Sequence, residues 1–367
     1  PAPVNCCKTN NGHFSFFLNK VCPSHLRVPA TVGGKPLIHS ILSSATVATR
    51  TGKMYSSCSV LKIMMAHLPL LLMFAGFVFL LKIVFRAAKW VYANFLRPPK
   101  NLKQRYGSWA LITGATDGIG KAFARNLGKE GLNLVLIGRS MEKLKRVSEE
   151  IRKESPIIQI RSLELDFLSS KIALDKIASE EDVGILINNV GITYPKAMYF
   201  HEVEDKVWMD IVRVNMRGTN AMIKAVLPGM IRRKRGAIIN IGSGASAIVP
   251  SHPLFAIYAA TKAYVCHLSR SLQVEYKQFG IDVQCQIPLY VATGMASRVA
   301  GVQRSSLFTP SADQYAKAAI RWIGYEACCI PYWPHCVQSC VVRILPEVVV
   351  DRWRLAVNLR RRYNAKS

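Results

Sequence analysis

Acidic residues are absent from the first 116 positions of this 367-residue chain: 14 Lys or Arg stand there with no Asp or Glu, and the first carboxylate is Asp117. The formal charge of +27 is therefore uneven, and the remainder, with 35 basic and 22 acidic side chains, is only mildly basic. No stretch interleaves Arg with aromatic residues as single-strand binders do, so nothing marks a nucleic-acid partner. Paired Cys-x-x-Cys spacing is missing too. The ten cysteines are irregularly placed in a long chain, which excludes the disulfide framework of small secreted domains. The densest group, Cys328, Cys329, Cys336 and Cys340 with His335, lacks repeated ligand spacing and reads as buried or membrane-facing thiols, with no metal expected. A second long apolar run is also lacking, and one span cannot enclose a transport path.

What is there begins with residues 1–60, rich in Ser, Thr, Asn and Gly and without sustained periodicity. They read either as a transit-type leader or as a reading frame extended upstream of a start at Met54, Met64 or Met65, with little fixed structure expected before Leu61. Ile63–Leu81 is uncharged and largely apolar over 19 residues, close to the roughly 20 that cross a hydrocarbon core as a helix. Residues 61–86 thus form a predicted transmembrane anchor, and 87–104 a basic linker. Trp90 and Tyr92 suit an interface, and Lys82, Arg86, Lys89, Arg97, Lys100, Lys103 and Arg105 place the C-terminal side in the cytosol by the positive-inside rule.

From Ser108 short runs of Val, Ile and Leu alternate with longer amphipathic stretches, the pattern of βαβ units on a buried parallel sheet. Strands are expected near 108–113, 133–138, 158–165, 184–189, 236–241 and 281–287, and helices near 118–130, 141–154, 205–232, 255–279 and 312–325. The expected fold class is α/β, a Rossmann-type doubly wound parallel sheet with helices on both faces, preceded by one transmembrane helix; its catalytic domain spans 105–330 and an apolar, basic extension spans 331–367. Ligands should bind at the carboxyl ends of the strands. There, between the first strand and a helix, lies Thr113-Gly114-Ala115-Thr116-Asp117-Gly118-Ile119-Gly120. Glycines at 114, 118 and 120 permit a tight turn and close approach of backbone to a pyrophosphate, so Gly114, Thr116, Asp117, Gly118, Ile119 and Gly120 are cofactor-binding candidates. An NAD enzyme carries an acid after the second strand to bind ribose hydroxyls. Here Gly138-Arg139 stands, and a guanidinium pairs with the 2′-phosphate of NADPH.

Tyr258 and Lys262, four apart on a predicted helix, share one face. A phenol is a poor acid–base group near neutrality, but an adjacent ammonium and an oxidised nicotinamide both favour its phenolate. A lone Tyr-x-x-x-Lys is common by chance. What gives this one weight is its order and distance from the glycine loop, with Asn215 and Ser243 between them.

This set resembles the short-chain dehydrogenase/reductase family over about residues 103–330. The resemblance implies a catalytic tetrad of Asn215, Ser243, Tyr258 and Lys262: Ser polarises the carbonyl, Tyr transfers the proton, Lys also holds the nicotinamide ribose, and Asn supports a proton-relaying water. It further implies Asp166 beside adenine, Asn188 and Asn189 at the central wall of the cofactor, and Val291 and Thr293 near its carboxamide. Pro288-Leu289-Tyr290-Val291-Ala292-Thr293 departs from the family pattern by Leu289 in place of Gly. Ser243 stands 15 residues before Tyr258, two more than usual, and Ser246 is its alternative.

Asn101-Leu102-Lys103, Tyr106-Gly107-Ser108-Trp109-Ala110, Tyr199-Phe200-His201-Glu202-Val203, Val283-Gln284-Cys285-Gln286 and Pro331-Tyr332-Trp333-Pro334-His335 are similar to the microsomal very-long-chain 3-oxoacyl-CoA reductases, especially plant forms. That likeness implies NADPH-dependent reduction of an acyl-CoA substrate in fatty-acid elongation. It also implies an endoplasmic reticulum membrane location with contact to membrane lipid, elongase partners (condensing enzyme, dehydratase, enoyl reductase) and a possible homodimer. Steroid (17-beta) or other lipid-ketone dehydrogenation shares every motif, and an idle scaffold or a plastidial enzyme acting on acyl-carrier-protein thioesters are further alternatives. Members often finish with a dilysine retrieval signal, and Arg360-Arg361-Arg362-Tyr363-Asn364-Ala365-Lys366-Ser367 has no such pair. Ser297–Ser311 and Cys328–Val350 are expected to shape an acyl tunnel or rest on the membrane, the latter alternatively capping the sheet.

Overall fold

A computed structural model describes residues 52–169 and 182–364, with side chains from Met65 to Tyr363. The chain divides into two units, Pro1–Ile83 and Val84–Ser367. The expectations for residues 1–51 lie outside the described residues. Those for 52–60 do not: helix begins at Gly52, not Leu61, and runs without a break to Val91. Over Met65–Leu96 its most apolar stretch has a mean hydropathy of 2.5, and its side chains are uncovered by the rest of the chain. At about 1.5 Å per residue the predicted Ile63–Leu81 span is only the middle of a longer rod. Helix propagates past the uncharged core because Lys, Arg and Ala are good helix formers.

In the second unit seven parallel strands form one sheet in the order β3-β2-β1-β4-β5-β6-β7. They are β1 Trp109–Thr113, β2 Asn133–Gly138, β3 Ile160–Glu164, β4 Val183–Asn188, β5 Gly236–Ile241, β6 Ile281–Gln286 and β7 Cys328–Cys329. The order reverses between β1 and β4, so the crevice of a doubly wound sheet opens at their carboxyl ends. Each residue of β4, β5 and β6 is buried, because helices cover both faces. One face carries a cluster with Ile112, Leu134, Ile187, Ile239 and Phe123, the other one with Leu111, Val135, Leu186, Ile238 and Met222.

Six strands fall where the periodicity places them. The seventh has two residues, too short to show a period. The expected 205–232 helix is three segments, Asp205–Val212, a π-helical turn Arg213–Gly218 and Thr219–Arg233. The helix expected over 312–325 ends at Ile320. Nor is 87–104 a free linker. Helix continues to Val91, the π-helical Tyr92–Leu96 follows, and the Arg97 guanidinium binds both oxygens of Glu326 (2.6 and 3.1 Å) while lying over the rings of Trp322 and Tyr325. A one-turn helix Leu102–Tyr106 is fixed from the far side of the sheet, where the Tyr106 hydroxyl donates to Asp282 (2.6 Å).

The 331–367 segment forms helices Trp333–Ile344 and Glu347–Asn364, which fold back onto the catalytic unit. His335 and Asn358 are fully buried; the Asn358 amide donates to Pro253 O (2.8 Å), Arg362 binds Glu202, and Ser251 donates to Asp351. These helices therefore cap the sheet, while Val341, Ile344, Leu345, Val348 and Trp353 keep an apolar exterior.

Candidate active site

The loop after β1 is built by what cannot fit inside it. Gly114 (φ +64°) and Gly118 (φ +54°) take the left-handed conformation that side chains resist. A Cβ on Gly120 would lie 2.3 Å from Gly114 O and 2.4 Å from Asn189 Nδ2. Thr113 ties this loop to the end of β4: its Oγ1 accepts from the backbone N–H groups of Asn189 (3.0 Å) and Val190 (3.1 Å). Asn189 returns the tie, donating from Nδ2 to Thr113 O (3.1 Å) and Gly114 O (3.3 Å). The result is a rigid turn ending at the N-terminus of the Gly118–Lys129 helix, whose free N–H groups and dipole favour an anion. Asp117 caps that helix, accepting from Gly118 N at 2.7 Å. It thus closes one donor while staying exposed at the edge of the turn. Ile119 packs into the core beneath the turn.

Thr116 abuts the end of β2: a Cβ on Gly138 would meet its Cγ2 at 2.9 Å. The next residue, Arg139, is exposed and has no carboxylate partner among the described residues. Thr293 closes the other side, its Cγ2 being 3.2 Å from a Cβ built on Gly118; its Oγ1 caps the Gly294–Ala300 helix by accepting from Ala296 N (3.3 Å). Val291, two residues earlier, is buried in the core. Between loop and Thr293 lies a cleft of about 470 Å³. A tight turn on a helix N-terminus and no acid at the end of β2 fit a nicotinamide dinucleotide.

Two of the expected cofactor contacts also hold local structure. Asn188 is buried inside the sheet and donates to Asn240 Oδ1 (2.9 Å), which passes the chain to Ser269 (2.9 Å). Its own Oδ1 has no partner. Asn189, not Asn188, faces the loop. Asp166 is exposed at the end of β3 and accepts from Leu168 N (3.0 Å), the self-capping turn its residue type favours.

The catalytic candidates converge at the ends of β4 and β5. Tyr258 and Lys262 sit on the Ala256–Tyr276 helix, with Ser243 at the N-cap of the one-turn Gly244–Ala247 helix after β5. Ser243 neighbours Tyr258 and acts on its phenol electrostatically. Ser246 is turned away, donating to Ser243 O (3.1 Å), so the longer spacing to Tyr258 is absorbed by the capped turn and the Ser251–Leu254 loop, where Leu254 has φ +66°. Burial pushes the Tyr258 phenol above its ordinary value, against the pull of Ser243. Burial by itself thus favours the protonated phenol, and the expected opposing pull toward phenolate comes from the lysine together with an oxidised nicotinamide. Lys262 is itself buried, which lowers its ammonium to about 8, and it donates to Ile241 O at 2.8 Å. Asn215 lies in the π-helical turn, a place where such turns re-aim a side chain. It accepts from Ile192 N (2.8 Å) and donates to Ile192 O (2.9 Å) and Thr261 Oγ1 (3.0 Å). A Cβ on Gly191 would be 3.3 Å from both Asn215 Oδ1 and Lys262 Nζ, which places the two side by side.

Tyr290 was read only as part of the Pro288–Thr293 segment. Its hydroxyl accepts from Arg361 (2.8 Å) and Arg354 (3.3 Å) of the C-terminal helix, and those charges pull it below the usual phenol range although burial opposes them. Tyr290 interacts electrostatically with Tyr258. Arg354 also reaches His252 at 3.0 Å. No local pattern announces this group, because its members come from three distant segments.

Residues 108–302 match the family described as short chain dehydrogenase. A very-long-chain 3-oxoacyl-CoA reductase-like protein of Arabidopsis thaliana is 54% identical, the match covering 79% of this chain and 93% of that one. The very-long-chain 3-oxoacyl-CoA reductase of Rattus norvegicus is 38% identical (72% and 84% covered), and inactive hydroxysteroid dehydrogenase-like protein 1 of Homo sapiens 42% (67% and 75%). Among solved structures, a short-chain dehydrogenase from Sphingobium yanoikuyae in complex with NADPH superposes with a TM-score of 0.53 at 27% identity, covering 65% of this chain and 96% of that one. With its parallel seven-stranded sheet, glycine loop and Ser–Tyr–Lys cluster, the chain belongs to the short-chain dehydrogenase family of nicotinamide-dependent oxidoreductases.

Proposed function

We propose that this protein reduces a very-long-chain 3-oxoacyl-CoA to the 3-hydroxyacyl-CoA, using NADPH, in the microsomal fatty-acid elongation cycle. The observation that carries the reading is the approach of Ser243 to a protonated Tyr258 beside the glycine loop, in a chain 54% identical to a reductase-like protein of that name. NADPH supplies the hydride, and Arg139 is the residue that would hold its 2′-phosphate. Ser243 and Tyr258 present two donors to the substrate oxygen, and as charge grows there Tyr258 gives up its proton. At neutral pH Lys262 is mostly ammonium, so it offsets the phenolate left behind. One of its three N–H groups is spent on Ile241 O, leaving others for the ribose. Asn215 holds the Ile192 backbone that walls the site and supports the water that returns the proton.

The long apolar helix supports a single-pass anchor in the endoplasmic reticulum, and the basic residues after it support a cytosolic catalytic unit. An acyl chain dissolved in the bilayer and a CoA in water meet naturally at such a site. The apolar exterior of the C-terminal helices suits contact with lipid, and condensing enzyme, dehydratase and enoyl reductase are the partners such a cycle requires. A steroid-ketone reading draws on the hydroxysteroid dehydrogenase-like relative, and because that relative is named as inactive, turnover itself is part of the test. Membranes carrying the full chain should oxidise NADPH faster with a very-long-chain 3-oxoacyl-CoA than with a 17-ketosteroid at equal concentration. Preference for the steroid would replace the substrate and keep the mechanism; no turnover of either would end both readings.

A further inference from the structure

The cysteines grouped by sequence part company in the fold, and a different trio assembles. Cys336 donates to Ile330 O (3.0 Å), Cys340 is exposed, and His335 is buried against Tyr332 and Tyr315. Cys328 at the sheet edge instead meets Cys266 of the catalytic helix and Cys285 of β6. The three Sγ atoms all lie within 4.8 Å of one another, Cys266 and Cys328 being 3.3 Å apart. Cys285 is fully buried, Cys266 nearly so and Cys328 half-buried, and all three are free thiols.

From this convergence we propose that Cys266, Cys285 and Cys328 form a binding site for a thiophilic divalent cation of the zinc type. The donors are all sulfur, which selects a soft or borderline ion over calcium or magnesium. Zn–S bonds of about 2.3 Å in tetrahedral geometry set sulfurs about 3.8 Å apart. With one separation at 3.3 Å and none above 4.8 Å, closing on an ion takes adjustments of no more than about an ångström. The ligands come from three rigid elements: β6 and β7 hold Cys285 and Cys328 in register, and Cys285 N donates to Ala327 O at 2.8 Å. Arg270, one turn beyond Cys266, brings its positive charge to bear on the Cys328 sulfur. Three thiolates, a divalent ion and one guanidinium sum to zero charge, whereas a monovalent ion would leave a net negative charge in a largely buried place. The half-buried side at Cys328 gives the ion entry and leaves its fourth position to water. Binding releases the three thiol protons to solvent and needs no oxidant.

The site lies on the catalytic helix. Tyr258, Lys262, Cys266 and Arg270 follow one another at four-residue steps along one stripe, so a bound ion would brace that helix one turn below the lysine. The test uses the full chain in detergent, purified reduced and stripped of metal, titrated with Cd²⁺ as a spectroscopic probe and then with Zn²⁺ as competitor. Thiolate-to-cadmium absorption should saturate at one ion per chain, disappear as Zn²⁺ displaces it, and survive Cys340→Ser. Cys328→Ser, conservative and half-exposed, should weaken binding at least about tenfold, with circular dichroism confirming the fold. Cys266→Ser provides a second route if Cys328→Ser does not fold. Absence of saturable absorption, absorption unchanged in both variants, or a Cys266–Cys328 disulfide in the freshly purified chain would overturn the site. None of these outcomes bears on whether the enzyme reduces acyl-CoA.

Discussion

At the scale of single residues, the proposed chemistry rests on one phenol whose protonated form burial favours, with a serine beside it. Removing only that hydroxyl, Tyr258→Phe, should lower kcat by about 10²–10⁴-fold, while fluorescence titration shows NADPH binding unchanged. Retained turnover would put the proton elsewhere. In the proposed reading cofactor choice turns on Arg139, because β2 ends without a carboxylate to repel a 2′-phosphate. Charge-assisted pairing of this kind is worth about 1.5–3 kcal/mol, so Arg139→Ala should reduce the NADPH-over-NADH preference roughly 10- to 150-fold, read as a ratio of kcat/KM. An unchanged ratio would remove Arg139 from the phosphate site.

At the scale of elements, the glycine loop and the C-terminal helices carry the measurable consequences. Gly120→Ala would drive a methyl into Gly114 O at 2.3 Å, so cofactor affinity should collapse while the circular dichroism spectrum of the sheet and helices is kept. The C-terminal cap is held through buried neutral histidines. Burial lowers His335 to about 4, between Tyr315 and Tyr332; burial, and then the nearby charges of Arg354 and Arg361, lower His252 to about 3. In the unfolded chain both take a proton near pH 6.5, so the unfolded state binds more protons below that value. Their contribution is intact above pH 6.5 and is lost as pH falls toward 4. Between pH 7 and 5 each should weaken the fold by about 2 kcal/mol. Denaturation series at several pH values should show this slope, and His335→Gln should remove its share. A flat profile would mean these rings are not held neutral.

At the scale of the whole molecule, one helix among the described residues is apolar enough to cross a membrane, and the unit from Val84 onward has its own core. The full chain should stay with microsomal membranes through high-salt and alkaline washing, with protease in the medium reaching the catalytic unit of intact microsomes. Release by washing would refute the anchor, and protection from protease would invert its orientation. A chain beginning at Val84 should still bind NADPH, although the exposed Phe95, Ile344 and Trp353 will call for detergent.

The sequence by itself determined the six long strands, since a strand buried on both faces must be a run of Val, Ile and Leu bounded by turn residues. It determined the glycine loop and the Tyr258/Lys262 pair as well, because their function depends on spacings of a few residues that local geometry preserves. What it missed depends on distance along the chain. The two-residue β7 has no period to detect, and it exists because β6 offers an unpaired edge. Asn188 and Asn189 are identical neighbours in sequence, but β4 ends between them, so one pairs inside the sheet with Asn240 and the other is tied to the glycine loop through Thr113. The choice of Ser243 over Ser246, the Arg354–Tyr290–Arg361 contact and the cysteine trio required segments far apart in the chain to meet. Packing of the helices on the finished sheet decided those, because only closure of the core fixes which side chains from distant segments share one volume.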